Sequence, residues 1–263
     1  MILNGQNVYA QNNKGSFYVY WGWNRAAYTN SDIQFKGNDY NFTVQNAVAH
    51  DRPSELEIFN TYLNPVRLTI PQVNYRIGYY ISNSVDISIG VDHMKYVVDQ
   101  NQDVKVNGQI NLPGNPPFNG VYNNKNTKLT EDFLTFEHTD GLNYINVSVK
   151  KHTTITNFKK YKIKHVQLDF LKGVSIGLLY PKTNTHLLNN NRYDEFHVSG
   201  WGLAAEIGLN LQIYKHFFIQ TEYKLGYINM PDIRTTMFET DRANQQFGYL
   251  QGNIVFGYRF NKK

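Results

Sequence analysis

Apolar and polar residues alternate along most of this chain with a period of two. In residues 248–263, GYLQGNIVFGYRFNKK, one face carries Leu250, Gly252, Ile254, Phe256, Tyr258 and Phe260. The other carries Tyr249, Gln251, Asn253, Val255, Gly257 and Arg259. That period marks a β-strand with one apolar and one polar side. The same pattern predicts strands over 15–29, 69–82, 84–98, 130–139, 141–153, 160–171, 173–187, 196–214, 216–230 and 244–261. Four tight turns are predicted to join them in pairs, at Asn83 and Ser84, at Thr139, Asp140 and Gly141, at Lys172 and Gly173, and at Lys215 and His216. The Asp-Gly step has good tight-turn chemistry. Long polar connections separate the pairs at 30–68 and 99–129, with shorter ones near 153–160, 186–196 and 230–243.

A soluble sandwich has no reason to sort its connections into short and long by end, whereas a barrel crossing a membrane has. The expected fold is therefore all-β: a closed antiparallel transmembrane β-barrel of ten strands, with short periplasmic turns and long extracellular loops. Eight strands would result if residues 130–153 formed a hairpin outside the membrane. Twelve would result if DIQFKGNDYNFTVQNAV supplied a further crossing pair. The last strand should close on SFYVYWGW, because an unpaired backbone group in lipid costs several kcal/mol. Residues 15–263 form the barrel domain in this reading. Residues 1–14 form an N-terminal segment, read as the remnant of an export signal with Val8 and Ala10 at the −3 and −1 positions and Gln11 as the new start. An ordinary disordered terminus is the competing reading.

Composition fits this picture without proving it. Charged residues make up 18% of the chain and aromatics 15%, with 20 Tyr. Mean hydropathy is −0.51, and apolar runs such as VSIGLLY fall short of the ~20 residues a spanning helix needs. Strands escape that test, because lumen residues dilute their hydropathy. There is no Cys, which excludes disulfides and thiolate metal sites. The net charge of +5 is spread along the chain and argues for no nucleic acid.

The terminal GNIVFGYRF strand, the turn asymmetry and the alternating aromatic strands resemble the small outer-membrane β-barrel proteins of Gram-negative bacteria. The resemblance covers most of the chain after about residue 15. It implies the cell outer membrane as location, and outer-membrane lipids including lipopolysaccharide as surroundings. It also implies the outer-membrane assembly machinery as a partner, through the C-terminal strand. In that family this strand commonly ends on an aromatic residue; here Phe260 does so, but Asn-Lys-Lys follows.

With the apolar faces turned outward, Arg76, Asp92, Glu206, Glu222 and Lys224 point into the lumen, each about six to nine residues from a predicted turn. Charges at one depth must pair. They would form either a gate or a structural polar plug. At the outer rim His50 and Asp51 are the candidate acid/base pair. His138, two residues before Asp140, would sit at a periplasmic turn, the wrong end for outer-leaflet chemistry. Phe118 and Tyr122 are the candidate stacking pair for a carbohydrate. Trp21, Trp23 and Tyr227 should lie at the outer interface, and Phe217, Tyr258 and Phe260 at the inner one. The basic stretch 150–165 should crown an outer loop, and either meet anionic lipid or stand as a solvated hairpin. No nucleophile elbow, phosphate-cradling loop or metal motif is present. The expected role is structural, binding or narrow-channel, carried by the extracellular loops, without cofactor. An outer-membrane hydrolase acting on lipid A or peptides is the first alternative, and a soluble lipocalin-like carrier the second.

Overall fold

The computed structural model describes residues 13–55, 64, 71–157, 166–214 and 216–260. The export-signal reading of Val8, Ala10 and Gln11 lies outside them. In chain order the strands are β1 (Phe17–Tyr28), β2 (Ser31–Lys36), β3 (Tyr40–Ala47), β4 (Ala49–His50), β5 (Val73–Tyr80), β6 (Val85–Val98), β7 (Asp103–Ile110) and β8 (Gly120–Lys128). They continue as β9 (Leu134–Asn157), β10 (Val166–Leu179), β11 (Lys182–Leu187), β12 (Tyr193–Phe196), β13 (Gly200–Ile213), β14 (Phe217–Arg234) and β15 (Arg242–Phe260).

Eight of these form a hydrogen-bonded antiparallel ring in the order β1, β5, β6, β9, β10, β13, β14, β15. β15 pairs back onto β1, from Phe17 opposite Phe260 to Tyr28 opposite Tyr249. Short connections at 81–84 and 214–216 lie at the same end as Phe17 and Phe260. The connections at the other end span 29–72, 99–133, 180–199 and 235–241. This long-connection end is itself folded. The upper part of β15 continues into a sheet through β2, β3, β7 and β8. β11 pairs with the start of β9 and with β12.

Two predicted turns do not form, so eight strands stand in the ring where ten were expected. Thr139, Asp140 and Gly141 lie within β9, which runs on through them. Gly141 has φ of +133°, and the ladder to β6 shifts register between Met94 and Tyr96. The Asp-Gly signal is thus spent on a bulge inside a strand paired over long range. Lys172 and Gly173 likewise lie within β10, opposite Lys151 and Lys150 on one side and Ile207 and Glu206 on the other. A Cβ at Gly173 would sit 2.5 Å from the Val149 carbonyl oxygen and 2.8 Å from Cγ of Lys150, so this glycine makes room for the neighbouring strand and for the Lys150 side chain. The further crossing pair does not form either, because β2 and β3 pair off the ring.

These two corrections reverse the placement of the segment between them. Lys151 lies opposite Val85, so residues 150–157 stand at the short-turn end rather than crowning an outer loop; residues 158–165 lie outside the described residues. His138 lies opposite Tyr96, at the long-connection end rather than at a short turn.

The ring strands change polarity part-way along. Inward-facing positions of β6 run Asp86, Ser88, Gly90, Asp92, and then Met94, Tyr96 and Val98. Its outward positions run Ile87, Ile89, Val91, and then His93 and Lys95. β14 does the same: Gln220, Glu222 and Lys224 point inward, followed by Ile228 and Met230, while outward Tyr223 and Leu225 give way to Asn229. Below the crossover the apolar residues face outward, with Ile77 59%, Val174 63%, Ile176 65% and Leu225 68% exposed. This is the reverse of a water-soluble sheet, where the exposed face is polar.

Candidate functional site

The lower interior of the ring is filled with charge. Lys150, Lys224 and Arg76 are each 1% exposed or less, as are Asp92, Glu206 and Glu222. Lys224 Nζ donates to Asp92 at 2.7 Å and lies 3.7 Å from Glu206. Lys150 Nζ lies 3.3 Å from Glu206 and donates to Glu222. Arg76 Nη2 donates to Asn146 at 2.6 Å and stands 3.6 Å from Asp92. Neutral side chains take up further bonding capacity: Asn74 donates to Asp92 at 2.6 Å, Gln220 to Glu222 at 2.8 Å, and Ser148 to Glu206. Three cations face three anions, so this cluster carries no formal net charge. Removed from water, each ion depends on its partners, since uncompensated burial costs several kcal/mol.

Apolar side chains lie against both ends of this network. Towards the short turns, Tyr18, Tyr20, Tyr80, Phe218 and Val255 form one cluster. Tyr18 and His152 both bond Asp86 there, at 2.6 Å each. Towards the long connections stands an aromatic core. The Tyr96 and Phe247 rings stack 4.7 Å apart, and Tyr28 packs edge-on against both. That core continues into the extra sheet through Phe35, Phe42, Phe133 and Phe136.

The structure brings together all five lumen residues read from the sequence, Arg76, Asp92, Glu206, Glu222 and Lys224. The reading missed Lys150, which it treated as part of the basic run. Its signal was present: in INVSVKKH the apolar Ile145, Val147 and Val149 share one face, leaving Asn146, Ser148, Lys150 and His152 on the other.

The remaining candidates separate. His50 pairs with Asp99. Asp51 accepts from the Ala26 backbone at 3.2 Å and from Gln72. Burial raises the Asp51 pKa, an effect that these hydrogen bonds oppose. The two residues hold different partners, and do not form an acid/base pair with each other. His138 is fully buried in the extra-ring core, bonded through Nδ1 to Thr183 at 2.9 Å. Burial pushes its pKa down to about 3, so it is a neutral imidazole at pH 7. Phe118 and Tyr122 both pack against Phe133 at the same core, Phe118 partly buried and Tyr122 buried. Among the described residues, no group of three or more His, Asp or Glu is placed to hold a metal ion.

No family model and no curated protein matches this chain. Solved structures do match, and they are outer-membrane proteins. The outer-membrane protein OprG of Pseudomonas aeruginosa is 12% identical, with 95% of this chain and 98% of that one covered, at a TM-score of 0.43. The outer-membrane protein AlkL, solved in lipid bilayers, is 11% identical over 100% and 98%, also at 0.43. Ail, the attachment invasion locus protein of Yersinia pestis, is 12% identical over 94% and 99%, at 0.35. At this level of likeness they carry no argument about this chain, whose reading rests on its own geometry.

Proposed function

We propose that this chain is a closed eight-stranded β-barrel of the bacterial outer membrane with a filled interior. Its function is non-enzymatic, and is carried out by the folded β layer at the long-connection end, outside the cell. The polarity inversion along β6 and β14 carries this reading. Side chains that meet lipid must be apolar, and those that meet water need not be. A strand passing from one medium to the other therefore exchanges its faces, and His93, Lys95 and Asn229 mark where it does so. In a soluble lipocalin-like carrier the apolar side of the ring strands would turn inward throughout; here, below the crossover, it turns out.

Within the outer-membrane reading, a binding or adhesive role is favoured over a channel. The six charges of the network are paired and lie between two apolar clusters. A hydrolase needs titratable groups converging on one point, and His50 and Asp51 do not converge. Outer-leaflet lipids, including lipopolysaccharide, would surround the apolar belt, and the assembly machinery would read the last strand.

The test has two parts. Membrane fractionation with a heat-modifiability gel should show a detergent-requiring protein whose unheated form migrates anomalously. Single-channel recording in planar bilayers should then show no steady conductance. A monodisperse preparation without detergent would defeat the barrel, and a reproducible open state would defeat the filled interior.

A further inference from the structure

A cleft of about 200 Å3 opens at the long-connection end, between β12 with His197 just after it and the end of β14 with the turn that joins it to β15. Glu195, Phe196, His197, Arg234, Met237 and Glu239 line it. Two backbone bonds hold its floor: His197 donates to Pro181 at 3.1 Å, and Asp232 donates to Ser199 at 3.3 Å. The Asp232 side chain accepts from His197 Nε2 at 2.9 Å and from Arg242. Burial would raise the pKa of Asp232, but these bonds hold it below its usual value, so the carboxylate orients the imidazole.

The cleft carries both signs of charge. Arg234 is 18% exposed and lies 3.5 Å from Glu239, which is itself 85% exposed. Water screens such a pair, so it contributes little, and each partner can exchange it for a ligand. Glu195 is steadied by a 2.8 Å bond from the Tyr193 hydroxyl. A simple anion entering here meets two glutamates, and a simple cation meets Arg234. A ligand with both charges satisfies each side. The volume is below the ~300–1,000 Å3 of sites for drug-sized molecules, so the ligand is small. Phe196 stacks on Tyr180 at 5.3 Å, and Tyr180 stands just beyond the end of β10.

We propose that this cleft binds a small zwitterion, an acidic group joined by a few bonds to a primary ammonium. Arg234 takes the acid, and Glu195 and Glu239 take the ammonium. Phosphoethanolamine and α-amino acids share this chemistry, which is available from free solutes or from a lipid headgroup. The site goes beyond the filled-barrel reading. Its binding is measured in detergent, so its failure is distinguishable from failure of the gel and conductance tests.

The experiment is calorimetric titration of the purified full chain with phosphoethanolamine, glycine, inorganic phosphate and ethanolamine. Both zwitterions should bind at least about tenfold more tightly than either half-ligand, a preference of about 1.4 kcal/mol. Arg234→Gln should abolish the preference for phosphoethanolamine over ethanolamine. Glu195→Gln should abolish its preference over phosphate. An unchanged heat-modifiability gel would show that both variants still fold. Absence of zwitterion binding up to about 10 mM, beyond the weak end of ordinary specific affinities, would overturn the proposal. So would half-ligands that bind equally well, or variants that bind like the parent. Repeating the titration in nanodiscs separates the two sources. Weaker apparent binding in phosphatidylethanolamine than in phosphatidylglycerol discs identifies a headgroup as occupant, and equal binding identifies a free solute.

Discussion

Two buried regions of this molecule share strands β6 and β9 and have opposite chemistry. The lower interior of the ring holds Arg76, Lys150, Lys224 and their acids. The interior of the long-connection layer holds Phe35, Phe42, Tyr96 and Phe136. β6 contributes to both, with Asp92 to the first and Met94 to the second, two residues apart on one face. The difference lies in what surrounds each region. The layer meets water with polar residues such as Gln34, Asn41 and Gln109, and can gather apolar side chains within. The lower ring exposes an apolar belt instead, which leaves its polar side for the interior. Burial alone therefore does not identify a hydrophobic core here.

The largest test of this contrast removes one ion from the network. Lys150→Met should leave Glu206 and Glu222 short of their cation and cost roughly 3–5 kcal/mol, as for other broken buried pairs. Urea unfolding in detergent or lipid would measure it. The double variant Lys150→Met with Glu222→Gln should recover part of the loss, because the second change removes an unpaired charge. A loss below about 1 kcal/mol, the level of a surface pair, would mean that water reaches the cluster.

The next test bears on the belt. Ile176→Arg should cost roughly 2–4 kcal/mol if position 176 lies near the middle of a bilayer, and close to nothing if it meets water. Folding yield into vesicles would read this out, with Gln109→Arg on the layer surface as the contrasting change of small effect.

A smaller effect concerns the apolar region. Burial lowers the His138 pKa from 6.5 to about 3. The folded state therefore favours the neutral ring, and this contribution is fully present above pH 6.5. It is lost as the pH falls from 6.5 towards 3, at about 1.4 kcal/mol per unit. Amide exchange in β3 and β7 should speed up more on acidification in the parent than in His138→Gln. Equal acid sensitivity in the two would mean that the imidazole is solvated.

The smallest expected effect is at the surface. Lys182 bonds Asp140 and Asp194 at 3.3 and 3.2 Å with 28% of its side chain still exposed. Lys182→Ala should change stability by less than about 1 kcal/mol, and high salt should erase the difference. Against the loss expected for Lys150→Met, this calibrates how much burial amplifies one lysine.

Much of the lower ring was legible in advance. Alternation placed Arg76, Asp92, Glu206, Glu222 and Lys224 on one side, because in a strand the side of each residue follows from counting. Lys150 was equally legible by counting, but was obscured by the basic residues around it. The layer was less legible. Phe118 and Tyr122 read as loop aromatics because their partner Phe133 lies more than ten residues away in the chain. Neither residue nor spacing announces that packing.

By itself, the sequence determined which residues share a face, since a period of two is a local property of extended backbone. Only the tertiary structure decided where strands stop. Asp140 with Gly141, and Lys172 with Gly173, have the residues of a turn, yet neighbouring strands pair through both. Whether a glycine reverses the chain, bulges it or makes room for a neighbour such as Lys150 depends on what lies beside it. Those neighbours are remote in the chain and are assembled only by the ring.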